Sequence, residues 1–113
     1  MKSALLIALT IVASPLAYAG GDMAAGASKA RACATCHGAD FNTPISADIP
    51  RLAGQHADYL ARALSDYKSG ARKNAVMNGQ AAALSPQDIQ DLAVYFQSLS
   101  GSLKVIRLHR LAR

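Results

Sequence analysis

The sequence predicts an all-α fold of three main helices joined by two long loops. Two segments place apolar residues at the spacing of an amphipathic helix, and no segment after residue 19 alternates as a half-buried strand would. The apolar positions are Leu60, Ala63, Leu64 and Tyr67 in one segment and Ile89, Leu92, Ala93, Phe96 and Leu99 in the other. Strands are therefore not expected in this chain.

The first predicted helix runs from residue 23 to about residue 34 in an alanine-rich stretch. Asp22 precedes it and can accept hydrogen bonds from amides of the first turn. Gly26 lies within it, where another helix can approach closely because a side chain is missing. Residues 38–55 then lose the helical period and are rich in Pro, Asn, Ser and Asp. A loop of this length in a small domain is typical of one that wraps a bound group.

The other two predicted helices have clear end signals. Gly70 follows the helix that contains Leu60, and glycine commonly stops a helix. Residues 71–84 are then predicted to be irregular. The last helix begins at residues 85–88, which supply a cap, a proline at the first helical position and an acidic side chain in the first turn. Gly101 is predicted to end it.

The first 19 residues predict a removable export signal. Lys2 supplies a positive start, residues 4–13 form an apolar stretch, and residues 17–19 read Ala-Tyr-Ala, with the small residues that a signal peptidase accepts. The apolar stretch is much shorter than the roughly 20 residues that cross a bilayer as a helix. We therefore expect cleavage after Ala19 and a periplasmic protein. The predicted units are a signal peptide at 1–19, a domain at 20–103 and a basic tail at 104–113.

The chemistry is concentrated in one short motif, Cys33-Ala34-Thr35-Cys36-His37. Two thiols three positions apart at the end of a helix can reach two vinyl groups on one edge of a porphyrin and form thioethers. The adjacent imidazole then falls under the ring, where it can bind the iron axially. The motif therefore predicts one covalently bound haem c, attached by Cys33 and Cys36, with His37 as an axial ligand.

Three other interpretations of a Cys-x-x-Cys pair remain open from these residues. A zinc site would need two further ligands, and the remaining histidines, His56 and His109, are isolated from one another. A redox dithiol normally belongs to a βαβ context, and no strand is predicted here. A disulfide is chemically possible in an oxidising compartment, although it would not need the adjacent His37.

The other axial position of a haem iron has four candidates after the expected cleavage site: Met23, Met77, His56 and His109. Met23 lies on the helix that delivers the cysteines, so it is poorly placed to reach the opposite face of the ring. Met77 follows His37 by 40 residues, in the second irregular segment, and has polar neighbours rather than core residues. We therefore predict Met77 as the second ligand, in a Met/His pattern, and His56 as a surface residue.

The chain resembles the small bacterial class I cytochromes c, and in particular a single domain of the cytochrome c4/c553 kind. The resemblance covers about residues 20–101 and rests on the haem motif together with weaker elements in the same order. These elements are Gly21-Asp22, residues 33–38, residues 50–55, Tyr59-Leu60, Gly70-Ala71-Arg72, Met77, Leu84-Ser85 and residues 91–96. The family domain is expected to finish near residues 99–103, so the remaining residues are not explained by the resemblance.

The resemblance implies a fold in which the first and last helices cross and the haem edge is exposed beneath two loops. Gly26 against Tyr95 or Phe96 would suit that crossing. The resemblance also implies that the backbone carbonyl of Pro50 accepts the imidazole N–H of His37 and so fixes the orientation of the ligand. A simple turn role is the alternative for Pro50.

Three basic side chains could pair with haem propionates in such a fold, but we expect them to be exposed and solvated. They are Arg51, Arg72 and Lys73.

An iron held by both His37 and Met77 has no vacant position, so it can change oxidation state by one electron without binding a substrate. We therefore predict an electron carrier rather than an enzyme, shuttling between a membrane-bound respiratory donor and a terminal oxidase or reductase. If Met77 does not bind, a five-coordinate haem sensor or weak peroxidase is the alternative, although no distal His or Arg pair for peroxide cleavage is evident. A haem subunit docked on a larger redox complex is a third possibility.

The charge is distributed unevenly along the chain. Residues 20–103 contain seven basic and seven acidic residues, so the net positive charge after the signal lies in the tail. Its basic residues are Lys104, Arg107, Arg110 and Arg113. Nucleic-acid binding is not predicted, because no basic surface interleaved with aromatics is present. We expect the tail either to be a solvated end or to contact an acidic redox partner or an anionic membrane surface.

Overall fold

The computed structural model describes residues 20–103, which contain four helices and no strand. The helices are α1 (Met23–His37), α2 (Ala57–Ser69), α3 (Ala75–Ala82) and α4 (Pro86–Ser98). The all-α prediction is confirmed, with one helix more than the three predicted. The expected signal peptide at 1–19 and the basic tail at 104–113 lie outside the described residues.

Helix α1 begins as predicted and ends later than predicted. The Oδ1 atom of Asp22 accepts a hydrogen bond from the amide of Ala25 at 2.9 Å and caps the first turn. The helix continues to His37, because the first residue unsuited to it is Gly38, which has a φ of 90°. A side chain on Gly38 would also meet the backbone carbonyl of Thr43. The prediction of an end near residue 34 was therefore wrong, and the whole haem motif lies in the last turn of α1.

Helix α2 ends at the predicted glycine. Gly70 adopts the left-handed conformation, with a φ of 82° and a ψ of 5°, and its amide donates to the carbonyl of Tyr67 at 3.3 Å. Leu60 is the buried residue of this helix. The helix thus lays one side on the core and leaves the other exposed.

Helix α3 lies in a segment that we predicted to be irregular, and that prediction was wrong. It has eight residues, which is about two turns. The side chain of Asn74 caps it by accepting the amide of Met77 at 3.0 Å. Residues 78 and 79 read Asn-Gly, which is a turn signal, and the helix has too little apolar period to be recognised. Met77 consequently lies on a helix and not in a loop.

Helix α4 begins with the capping box that the sequence indicates. The amide of Asp88 donates to Oγ of Ser85 at 3.0 Å, and the amide of Ser85 donates to Oδ2 of Asp88 at 2.8 Å. The helix ends at Ser98 rather than at the predicted Gly101. Gly101 serves a different purpose, because a side chain there would come within 2.7 Å of the carbonyl oxygen of Ala53.

The crossing of α1 and α4 is made at Gly26. A Cβ atom at this position would clash with the backbone carbonyl of Asp91 and lie 2.7 Å from Cβ of Tyr95. Of the two aromatic partners expected for Gly26, Tyr95 is therefore the one beneath it. Phe96 faces the core instead, where its ring lies 4.9 Å from that of Phe41 in an edge-to-face arrangement.

The buried apolar core is small and is centred on α4, which packs against both α1 and α2. Helix α3 packs on α2. The core residues are Ala30, Phe41, Ala53, Leu60, Leu92, Ala93 and Phe96. Three of these seven are alanines, so the described polypeptide supplies little bulk of its own to the interior.

A buried carboxylate also joins α1 to α4. Asp91 is 2% exposed, and its Oδ1 atom accepts the amide of Asp22 and the side chain of Gln87, both at 2.8 Å. Its Oδ2 atom pairs with Nζ of Lys29 at 3.1 Å. These three donors satisfy the carboxylate and tie the start of α1 to the middle of α4.

Candidate functional site

The last turn of α1 carries the two cysteines of the motif. Both Cys33 and Cys36 are half-buried, and no disulfide joins them within the described chain. Burial raises the pKa of the Cys33 thiol, and the neighbouring Cys36 raises it further. The Cys33 sulfur is therefore a neutral thiol at pH 7. Two unpaired thiols on one helical turn are the donor arrangement that two thioether bonds to a single group require.

His37 follows in the same turn and is 7% exposed. Its Nδ1 atom lies 2.8 Å from the backbone carbonyl oxygen of Pro50. Because a carbonyl oxygen only accepts, Nδ1 carries the proton, and Nε2 retains the lone pair that can bind a metal. The hydrogen bond to Pro50 that the resemblance implies is present in the structure.

The loop that carries Pro50 is anchored on the core by its backbone. The carbonyl of Phe41 accepts the amides of Leu52 at 2.8 Å and Ala53 at 3.0 Å. The amide of Gly54 donates to the carbonyl of Phe96 in α4 at 2.9 Å. These bonds hold the chain on the C-terminal side of Pro50 against α4, so the position of its carbonyl is set by the fold.

A cavity of about 430 Å³ lies on this loop, between Ile49, Pro50 and Leu103. Among the described residues, neither the cysteines nor His37 line it. It is therefore distinct from the surface on which the motif presents its sulfur and nitrogen atoms.

Met77 comes from a separate element. It is the third residue of α3, it is half-buried, and its amide is held by the side chain of Asn74. Met23, the alternative thioether, is 56% exposed at the start of α1. His56 is exposed and precedes α2 as its cap residue, in agreement with its predicted surface position. His109 lies outside the described residues.

The three basic residues considered for propionate pairing are all exposed, as expected. The Nε atom of Arg51 donates to the carbonyl of Asn42 at 2.9 Å. The guanidinium of Arg72 lies 4.8 Å from the centre of the Tyr67 ring, and a hydrogen bond with Tyr59 raises the pKa of this arginine.

One residue near Met77 was not recognised from the sequence. Asn78 was interpreted only as a polar neighbour, yet its side chain makes three hydrogen bonds to the backbone around α3. Its spacing of four residues from Asn74 is the one available signal, because residues four apart face each other on a helix.

Within residues 20–103, three or more His, Cys, Asp or Glu side chains do not gather anywhere into a set able to hold a metal ion. Over the same residues, no helix combines the length and the apolar character that a membrane crossing demands.

The sequence model of the cytochrome c family matches residues 23–100 of this chain. The chain belongs to the cytochrome c family. The matched region contains all four helices. It also contains the candidate site residues Cys33, Cys36, His37, Pro50 and Met77.

Individual relatives place the chain within this family. Cytochrome c4 of Pseudomonas aeruginosa is 47% identical over 90 residues, which are 80% of this chain and 44% of that protein. The thiosulfate dehydrogenase electron acceptor of Stutzerimonas stutzeri is 46% identical over 70 residues, covering 62% of this chain and 32% of that protein. The crystal structure of reduced cytochrome c4 from Pseudomonas stutzeri matches with a TM-score of 0.68 at 40% identity, over 74% of this chain and 48% of that chain.

The chain spans about half the length of the cytochrome c4 relatives that it matches. It is a small class I cytochrome c similar to cytochrome c4, and the cofactor of this family is a covalently bound haem c with its iron. The chain has two cysteines in all, and both lie in the motif. Two thiols beside a buried imidazole with a free Nε2 atom fit this group.

Proposed function

We propose that this chain is a periplasmic one-electron carrier in which Cys33 and Cys36 attach the haem and His37 and Met77 bind its iron. The observation that carries the proposal is the last turn of α1. It brings two unpaired thiols together with a buried imidazole whose Nδ1 atom is already bonded to Pro50. An imidazole oriented in this way presents Nε2 in one fixed direction, as a metal ligand requires.

The haem, when bound, supplies an iron that gains and loses one electron. The residues that hold the iron determine whether it can also bind a substrate. His37 is held by Pro50 on one side, and Met77 is presented by α3 as a soft thioether ligand, which favours the ferrous form. If His37 and Met77 both held the iron, no coordination position would be open to a substrate, and the chemistry that the haem would supply is electron transfer.

Met77 is preferred to Met23 because of the elements that carry them. Met23 begins the helix that also carries the cysteines and His37, and its side chain is largely exposed. Met77 is half-buried on α3, which packs on α2 rather than on α1. A ligand that faces His37 across a ring must come from such a separate element.

The proposed partners are redox proteins, namely a membrane-bound respiratory donor and an oxidase or reductase as acceptor. The relative from Stutzerimonas stutzeri is named as an electron acceptor of thiosulfate dehydrogenase, which supports a carrier that takes electrons from another protein. Export, with cleavage after Ala19, is part of the same proposal. Intact mass of the periplasmic protein should give a chain that starts at Gly20 with one haem added, whereas a membrane-retained chain starting at Met1 would contradict it.

The test of ligation compares two methionine variants of the holoprotein by absorption spectroscopy in both oxidation states. Met77→Ala should leave the haem attached, remove the ferric band typical of sulfur coordination, and open the iron to cyanide. Met23→Ala is the matched control and should leave the spectrum unchanged. If Met23→Ala removes the band while Met77→Ala does not, the proposed ligand is wrong. If neither variant changes the spectrum, methionine ligation of the iron is wrong.

A further inference from the structure

Helix α3 is too short to be stable by itself. It has eight residues, and isolated helices of this length do not persist in water. Its orientation therefore depends on the bonds that join it to the rest of the chain. Within residues 20–103, the side chains of Lys68 and Asn78 make hydrogen bonds of this kind, one near each end of α3.

Asn78 makes the bonds near the beginning of α3. Its Nδ2 atom donates to the carbonyl of Tyr67 at 2.7 Å and to the carbonyl of Arg72 at 2.8 Å. Its Oδ1 atom accepts the amide of Asn74 at 2.9 Å. Both donors and the acceptor of the amide group are thus used, and they join the last turn of α2, the connection after it and the cap of α3.

Through Asn74, the hydrogen bonds of Asn78 extend to the backbone amide of Met77. Asn78 holds the backbone of Asn74, and the side chain of Asn74 in turn accepts the amide of Met77 at 3.0 Å. Asn78 is also the next residue after Met77 in the chain. The hydrogen bonds of the Asn78 and Asn74 side chains therefore fix the backbone on both sides of Met77. The two carbonyls that Asn78 bonds belong to residues before α3, and they orient the helix against α2.

We propose that Asn78 is a positioning residue that fixes Met77 for binding to the iron. This inference rests on the proposed function, in which Met77 is an axial ligand. A ligand held in one orientation binds more tightly than one that must be ordered first, because the loss of conformational entropy has already occurred. Without Asn78, Met77 should compete less well against an external ligand.

The type of side chain follows from the three bonds. Aspartate has nearly the same shape and could accept the amide of Asn74, but it has no N–H group and would turn a carboxylate oxygen towards the carbonyls of Tyr67 and Arg72. Alanine would leave all three backbone groups without this partner. Asn78→Asp and Asn78→Ala therefore both remove the link to α2, and the aspartate variant does so without leaving a cavity.

Lys68 provides the matched control at the other end of α3. Its Nζ atom donates to the carbonyls of Ala82 at 3.1 Å and Leu84 at 2.6 Å. It also joins α2 to α3, but at the end away from Met77. Lys68→Ala therefore removes one hydrogen bond from α2 to the end of α3 and one to the connection after it, without touching the hydrogen bonds of Asn78 and Asn74 around Met77.

The experiment measures imidazole binding to the ferric holoprotein, with the ferric band of sulfur coordination as a second readout. A single hydrogen bond contributes roughly a factor of five to an equilibrium, so the loss of two or more should let Asn78→Ala and Asn78→Asp bind imidazole at least about fivefold more tightly than the unmodified protein. Their sulfur band should weaken. Lys68→Ala should lower the melting temperature but keep imidazole affinity within about twofold.

Met77→Ala, measured in the same series, distinguishes a failure of the proposed Met77 ligation from a failure of the positioning role of Asn78. It should give the highest imidazole affinity, because the competing ligand is gone. If Met77→Ala binds imidazole as the unmodified protein does, the ligation under the proposed function is wrong. The positioning role of Asn78 is wrong if Met77→Ala binds imidazole more tightly, as expected, but the Asn78 variants have the same imidazole affinity as the unmodified protein or as Lys68→Ala. If Asn78→Ala yields no holoprotein, the imidazole affinity of the isosteric Asn78→Asp variant tests the positioning role.

Discussion

The imidazole of His37 donates a hydrogen bond from Nδ1 to the carbonyl oxygen of Pro50 over 2.8 Å, and the two residues are 13 positions apart in the chain. One lies at the end of a helix and the other in a loop that is bonded to α4 beyond it. The bond therefore couples the proposed iron ligand to the core of the protein. In the proposed site it would also make the imidazole a stronger electron donor, which would favour ferric iron.

Pro50→Ala should raise the reduction potential. The substitution frees the backbone of this residue and loosens the carbonyl that accepts the His37 proton, so the ferric form loses part of its stabilisation. A weakening by about half a kcal/mol corresponds to an increase on the order of 20 mV for a one-electron couple. A spectroelectrochemical titration measures this change.

Pro44→Ala is the control for Pro50→Ala. Pro44 lies in the same loop and lines the same cavity as Pro50, so the two substitutions have comparable effects on the unfolded chain. The carbonyl bonded to His37 is unaltered in Pro44→Ala. Equal shifts of potential in both variants, or none in either, would show that the His37–Pro50 bond does not tune the iron.

The parts of the fold that were predicted correctly have local causes. The start of α4 depends on Ser85 and Asp88, which bond to each other within one turn. The end of α2 depends on one glycine in the left-handed conformation. The haem motif was recognised for the same reason, since Cys33, Cys36 and His37 lie within five residues of sequence at the end of one helix.

The parts that were missed depend on contacts between distant residues. Helix α3 is held by Asn78 and Lys68 through bonds to and from α2, and neither bond leaves a hydrophobic period in the sequence. Gly101 was interpreted as a helix stop, but its small size is required by the approach of Ala53. The hydrogen bonds of Asn78 to Tyr67 and Arg72 were missed for the same reason, because these carbonyl partners are eleven and six residues away in the chain.

Gly26→Ala should destabilise the protein. The added methyl group would clash with the carbonyl of Asp91 and with Cβ of Tyr95, so α1 and α4 must move apart. Overpacking of this kind costs about 2 kcal/mol, which outweighs the gain of roughly 1 kcal/mol in helix propensity. The free energy of unfolding of the holoprotein in guanidinium chloride measures the net loss.

Gly79→Ala provides the opposite case on α3. No described atom lies within 4 Å of the position that a Cβ would occupy, so the helix-propensity gain of up to about 1 kcal/mol should be retained. The pair of variants should therefore change stability in opposite directions. A stabilising Gly26→Ala substitution would contradict the close crossing at this residue.

Asp91→Asn should lower stability at neutral pH by about 1–2 kcal/mol, because the bonds to the carboxylate lose their charge assistance. The amide of Asp22, and then the side chains of Gln87 and Lys29, hold the pKa of Asp91 below its ordinary value of 3.8. A pKa that is lower in the folded chain means that the stabilisation is fully present above about pH 4 and disappears as pH falls through the folded value. The difference between the two proteins should therefore shrink below pH 4.

Melting temperatures of the two proteins, followed by the helical circular dichroism signal from pH 7 to pH 2, provide the measurement. Other aspartates with lowered pKa values that do not share Lys29 with Asp91, such as Asp40 and Asp48, titrate in both proteins and cancel in the comparison. Asp58→Asn, at an exposed position of α2, is the control and should change stability by less. A difference between Asp91→Asn and the unmodified protein that stays constant down to pH 2 would rule out this linkage.

Deletion of residues 104–113 should slow electron transfer to an acidic redox partner at low salt and leave the absorption spectrum and reduction potential nearly unchanged. Residues 20–103 contain equal numbers of basic and acidic residues, so the deletion removes the whole net positive charge of residues 20–113, at Lys104, Arg107, Arg110 and Arg113. Attraction between exposed charges is screened beyond about 8 Å at physiological ionic strength, so the rate difference should decrease as salt is added. Stopped-flow rates with full-length and truncated protein across a salt series measure it. Equal rates at every salt concentration, with no binding of the full-length protein to anionic vesicles, would identify these residues as a solvated end.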